Sequence, residues 1–139
     1  MSSELIVDEL TGRASAGSIA VTAEGGTVTT SLQQGLAKTW ANFTGISTTA
    51  LRDSFNVTSL TDTNTGRTTV TIANDMSNVN YAGSYYNNGA TGSAATSVGN
   101  NYAGGLGDRA TGTLAVASYI QNNYGDVYNN DVIIFGDLA

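Results

Sequence analysis

The long straight-chain helix formers are scarce in this chain. Its 139 residues include one Lys, three Glu and two Met, the straight-chain types that lose little side-chain freedom in a helix. In their place stand 20 Thr, 17 Gly, 14 Asn and 13 Ser, with Val and Tyr spread among them. β-branched and aromatic residues broken up by Gly and by Asn pairs are the pattern of strands joined by turns. The chain is therefore expected to be all-β.

The composition also removes whole classes of chemistry. His, Cys and Pro are absent, so no imidazole-based triad, thiolate nucleophile, disulfide or zinc finger can be built. Eleven acidic residues against five basic ones give a formal net charge of −6 and a pI ≈ 4.1. Binding to nucleic acid needs clustered Lys and Arg, so it is not expected. No apolar run approaches the ~18 residues of a membrane span, and no basic stretch precedes an apolar one at the N-terminus. A soluble, cytoplasmically made protein is the expectation, without signal peptide or membrane insertion.

Two parts are distinguishable. Residues 1–35 alternate short apolar bursts with Gly: strands are expected at Leu5-Ile6-Val7, at Ile19-Ala20-Val21-Thr22 and over Thr27 to Thr30, with Gly25-Gly26 as a turn. Few large side chains are present, so this arm must lean on another body. Ser31 to Lys38 reads either as a short helical turn capped by Ser31 or as an irregular link. Residues 36–139 read as a β-sandwich or jelly-roll-like domain. Trp40 to Phe43 is a strand, with Trp40 placed in the core. Phe55, Val57 and Ser59 share one strand face, Asp62 to Gly66 is a turn, and Val70 and Ile72 share a face of the return strand, giving a hairpin over 54–73. Leu114, Val116, Ser118 and Ile120 alternate with Ala115, Ala117 and Tyr119, a strand over 113–121. Val132 to Phe135 is an apolar strand, expected either at the centre of a sheet or covered by a partner chain.

Between these elements, residues 82–131 read mainly as exposed loops. They hold eight of the 14 Asn and six of the seven Tyr. Three clusters set Tyr beside paired Asn: Tyr85-Tyr86-Asn87-Asn88, Asn100-Asn101-Tyr102 and Asn122-Asn123-Tyr124. Tyr offers a flat face and a hydroxyl, and Asn offers both a donor and an acceptor, so these ten residues are the candidate receptor contacts. The alternative is that Asn pairs make turns while Tyr packs at a sheet edge. Asp53 beside Arg52, and Asp108 beside Arg109, read as solvated ion pairs or Asx turns rather than a catalytic dyad. No catalytic residue and no cofactor is expected. Asp126, Asp131 and Asn129-Asn130 offer oxygens that suit Ca²⁺, but lack EF-hand spacing and read as a turn cluster.

Long ordered strings carry a resemblance. Lys38-Thr39-Trp40-Ala41-Asn42-Phe43, Arg52-Asp53-Ser54-Phe55-Asn56-Val57 with Ser59 and Thr61-Asp62, and Val70-Thr71-Ile72 are similar to a module of tailed bacteriophages. That module opens on Ala-Lys-Ala-Trp-Val-Asn-Phe, centres on Arg-Asp-Ser-Phe-Asn-Val and ends on Val-x-Val-Ala-Ile-Phe-Gly, which the closing Val132-Ile133-Ile134-Phe135-Gly136-Asp137 resembles. The resemblance is to phage tail-fibre or head-fibre-like virion proteins, which are β-rich, surface-exposed and usually trimeric. It covers residues 36–82 and the last seven; residues 82–131 have no counterpart, so no receptor-binding residue follows from it.

The expectation is thus a virion structural protein: a homotrimeric fibre subunit docked on other virion proteins through residues 1–35 and displaying loops toward a bacterial surface glycan or protein. A decoration, cement or adaptor protein without receptor binding is the alternative.

Overall fold

The structure, a computed structural model, describes residues 4–12, 19–22, 25–89, 102–120 and 123–139. The chain divides into two units, Met1–Leu36 and Ala37–Ala139.

In the first unit, β1 (Ala20–Thr22) and β2 (Thr29–Ser31) pair antiparallel, with Ala20 opposite Ser31. Ser31 then caps α1 (Leu32–Gly35), its hydroxyl accepting from the Gln34 N–H at 3.4 Å, so the helical turn is the form taken. Residues 4–10 have no regular secondary structure. The expected strand at Leu5-Ile6-Val7 does not form, because no described backbone lies alongside to complete a ladder. Leu5 and Ile6 are 78% and 82% exposed, and no described residue of this unit is buried.

The second unit contains, in chain order, β3 (Thr39–Thr44), β4 (Ala50–Phe55), β5 (Val57–Asn64), β6 (Arg67–Ile72), β7 (Ala82–Asn88), β8 (Tyr102–Arg109), β9 (Thr113–Ile120), β10 (Asn123–Tyr124) and β11 (Asn129–Phe135). Every pairing is antiparallel. Sheet I runs β4-β3-β11-β7; sheet II runs β5-β6-β9, with β8 on the far side of β9. The short β10 continues the line of β6. Ser118 donates its N–H to Gly66 O (2.8 Å) and accepts at its own carbonyl from Gly125 N (3.1 Å), and in an antiparallel strand both groups face one edge.

Alternating residues of the two sheets meet in one core. Ala41 and Phe43 of β3 and Val132 and Ile134 of β11 face Val70 and Ile72 of β6 and Leu114 and Val116 of β9. Each such side chain removed from water contributes about 1.5–3 kcal/mol. Of the two architectures expected, the sandwich is the one realised, since β3–β4, β5–β6 and β8–β9 are sequential neighbours within a sheet.

Three expectations need correction. Among the described residues of 82–131, strand extends well beyond the expected β9: β7, β8 and β10 also lie there, because Ser, Gly and Asn tolerate extended backbone when apolar neighbours hold the ladder. Trp40 is not in the core. Ala41 and Phe43 take the inward positions, so Trp40 points to the outer face of sheet I, opposite Phe55 and Ile133. Phe55, Val57 and Ser59 do not share a face, since the chain changes sheet at Asn56 and a bulge follows Val57. Of the two placements expected for the closing strand, the central one is realised: β11 lies between β3 and β7, so its backbone is satisfied inside the chain.

The change of sheet is made by one residue. Asn56 has φ 58°, a conformation open to Asn more than to other residues with a Cβ. Its Nδ2 donates to Lys38 O (3.0 Å), Thr39 Oγ1 (3.2 Å) and Asn74 O (3.1 Å), and its Oδ1 accepts from Asn74 N (2.7 Å). Ala73 N donates to its carbonyl at 3.1 Å. The start of β3, the end of β4 and the exit of β6 are thereby joined. Asn56→Ala is expected to cost about 2–4 kcal/mol, from left-handed strain and orphaned partners, and Asn56→Gly less, because the backbone strain is absent. Urea unfolding checks this as a lowered midpoint at unchanged slope.

Candidate functional site

The residues expected to contact a receptor are dispersed. Tyr85 and Asn87 point inward from β7. The Tyr85 hydroxyl donates to Asn130 Oδ1, and Asn130 Nδ2 donates on to Val127 O at 3.2 Å. These side chains form a polar cluster between the sheets and do not face a ligand, a second correction to the loop reading. Tyr86 and Asn88 alternate with them and point outward from sheet I. Tyr102 begins β8, opposite Ile120. Asn123 and Tyr124 are the two residues of β10. Asn100, Asn101 and Asn122 lie outside the described residues.

Tyr124 is the candidate that the fold places in a site. The outward positions of β9 are Ala115, Ala117 and Tyr119. Ala117 sits between Arg67 on β6 and Gly105 on β8, and Ala115 is opposite Thr69. The outer face of sheet II is therefore low along Gly105, Gly107, Ala115 and Ala117, and rises at Arg67, Tyr119 and Tyr124. Between them is a groove of about 440 Å³, with Asp108 and Thr63 on its rim.

Two turns fix the raised side. Gly66 has φ 65°, and a Cβ on it would stand 2.5 Å from Gly125 N and 2.6 Å from Ser118 O, so only glycine permits this approach. Gly66 N donates to Asp126 Oδ1 at 2.6 Å, and Ser118 Oγ donates to Gly125 O at 2.6 Å. The clamp brings Arg67, just after one turn, beside Tyr124, just before the other. Arg67 lies 4.0 Å from the Tyr124 ring centroid, and the Tyr119 and Tyr124 rings are 4.5 Å apart at 31°. A hydrogen bond from Tyr119, and a second from Arg67, hold the Tyr124 hydroxyl below its ordinary value; the same bond to Tyr124 raises Tyr119.

The arrangement suits recognition by contact. Tyr rings offer apolar faces, their hydroxyls and the guanidinium edge offer hydrogen bonds, and the glycine floor allows a flat ligand close to the backbone. Sequence reading passed over Arg67 and Tyr119 as a site. The alternation over 113–121 placed Tyr119 with Ala115 and Ala117 on one face, but nothing local joined that face to Arg67, which is 52 residues from Tyr119 in sequence.

The carboxylates have structural partners. Asp53 Oδ1 accepts from the N–H of the next residue, Ser54, at 2.8 Å, while Arg52 turns away to Asn129 Oδ1 and Tyr128 O at 2.6 Å each; the bond spans one residue and not the two of an Asx turn, and Arg52 is engaged elsewhere. Arg109 donates to Tyr81 O at 3.1 Å. Asp126 holds the Gly66 turn and Asp131 accepts from Asn42 Nδ2 at 2.5 Å, so the two have separate partners. Among the described residues no three acidic side chains cluster as a metal site, and no helix is long and apolar enough to cross a membrane. No family model, curated protein or solved structure matches the chain.

Burial pushes the Tyr85 hydroxyl up to about 12 from 10.0, outweighing hydrogen bonds with Asn87 and Ser118. The folded state keeps a proton that the unfolded chain releases, so this contribution is complete below pH 10 and is lost as pH rises toward 12. The loss should reach about 2–3 kcal/mol. Urea unfolding at stepped pH should show a shallower alkaline decline in Tyr85→Phe.

Proposed function

We propose that the protein is a bacteriophage virion component, a fibre subunit that adheres to a host-surface glycan through the groove of sheet II. The observation that carries this reading is the Tyr119–Tyr124–Arg67 cluster standing beside a floor of Gly and Ala. Its ring faces, hydroxyls and guanidinium offer the chemistry of binding. Support also comes from the phage-like strings: Arg52 to Val57 supplies the end of β4, the sheet change at Asn56 and the start of β5. Residues 1–35 dock on the particle in this reading, and three copies of the chain assemble side by side. Weak polar contacts at each groove then multiply through copy number.

A cement or adaptor role is the second reading. The exposed Leu5, Ile6, Val7 and Leu10 favour it, because contiguous apolar side chains on an unpaired segment mark a protein contact.

Sedimentation of the full chain should give the mass of a trimer. On an array of bacterial surface polysaccharides, the chain should bind at least one, and Tyr124→Ala and Arg67→Gln should each weaken it about tenfold, equivalent to about 1.4 kcal/mol. Absence of binding, together with particles that fall apart when the protein is removed, would establish the cement reading instead.

A further inference from the structure

The outer face of sheet I carries a different chemistry, which belongs to no part of the groove. Cross-strand register sets its side chains in two rows. Phe55, Trp40, Ile133 and Ser84 lie opposite one another across β4, β3, β11 and β7, and Asp53, Asn42, Asp131 and Tyr86 form the next row. Adjacent strands are about 4.8 Å apart and successive same-face residues about 6.8 Å. The face is therefore an apolar stripe of Phe55, Trp40 and Ile133 about 10 Å long beside a polar row, a footprint suited to a chain of rings.

Exposure and hydrogen bonding define what would fit. Phe55 is 53% and Tyr86 61% exposed, and Trp40 is half-buried between its neighbours. In the polar row, Asn42 has its amide engaged on Asp131 Oδ1. Asp53 accepts one bond, from Ser54 N. The nearest cation is occupied: Arg52 stacks at 4.3 Å on Tyr128 and donates to Asn129 and Tyr128 O. The face presents carboxylate and carbonyl acceptors to the outside.

A ligand for it must bring donors on one edge and an apolar flat surface on the other. Anionic polymers are repelled by Asp53 and Asp131. A second copy packed through the same face about a two-fold axis would set these carboxylates against their own symmetry mates, and like charges juxtaposed in an interface cost several kcal/mol. Hydroxyl-rich rings meet both demands, with C–H faces on Trp40 and Phe55 and hydroxyls toward Asp53, Asn42 and Asp131. We infer that the outer face of sheet I is a second binding platform, for a neutral oligosaccharide, with Trp40 and Phe55 as its stacking surface and Asp53 as its principal free acceptor. It goes beyond the groove reading and stands or falls separately from it.

Trp40 is the only Trp in the chain, so its fluorescence reports on this face alone. The full chain would be titrated with neutral gluco-, manno- and galacto-oligosaccharides, and with oligogalacturonate as the anionic control. At least one neutral oligomer should shift Trp40 emission saturably, and oligogalacturonate should not. Phe55→Ala and Asp53→Asn should each weaken that binding at least tenfold at unchanged unfolding midpoint. The inference is overturned if no neutral oligomer shifts the emission, or if the anionic one binds as well. It is also overturned if emission follows protein concentration alone and Phe55→Asp lowers the sedimenting mass, which would put a second copy on the face. The array result for Tyr124→Ala and Arg67→Gln reports on the groove, so either site can fail alone.

Discussion

The amide of Asn56 is the point on which the sandwich turns. A strand that runs from one sheet into the other must break its alternation and bend sharply, and the backbone groups at the bend lose their ladder partners. Asn56 meets both requirements: it adopts a positive φ, and its side chain binds Lys38, Thr39 and Asn74. Because the three segments it joins belong to both sheets, the stacking of one sheet on the other depends on it. An Ala would supply neither the conformation nor the bonds.

From that stacking the two outer faces follow. β3, β6, β9 and β11 commit one face to the core, so the opposite face is left for solvent or ligand. In sheet II that face is low along Gly105, Gly107, Ala115 and Ala117 and raised by the Tyr and Arg wall. In sheet I it is a flat surface with a stripe of Phe55, Trp40 and Ile133 beside a row of acceptors. The core constrains both only through register: a slip of one residue on β11 would bring Ile133 and Asp131 inward and ruin core and face together. The polar cluster of Tyr85, Asn87 and Asn130 helps hold that register, because its partners on β7 and β11 meet only in this alignment.

Much of the fold was legible. Thr68 to Ile72 and Leu114 to Ser118 alternate cleanly, and their inward residues are buried as the period of two requires. The central position of β11 could be read from its unbroken apolar run. The region 82–131 misled for a physical reason. β7 and β8 are rich in Gly, Ala, Ser and Asn, residues of low strand propensity, with only Tyr85, Tyr86 and Tyr102 favouring a strand, and they hold as strands because β11 and β9 already offer edges. Gly104 illustrates this: a Cβ there would overlap the Tyr85 ring, so a residue that reads as loop is a strand position hollowed for a neighbour. Trp40 misled in the opposite sense. A large apolar residue in a strand is usually core, but Ala41 and Phe43 had already taken the inward side.

The amino-acid sequence alone determined that this chain is β-structured, that it cannot use imidazole or thiolate chemistry, and which of its strongly alternating strands face inward. These follow from composition and from a two-residue period, both of which are local. Only the tertiary structure decided which polar and aromatic residues share a surface. Arg67 meets Tyr124, and Trp40 meets Ile133, across separations of 57 and 93 residues. Such encounters are set by strand order and register, which arise from the summed packing of the whole core and leave no mark on any short stretch of sequence.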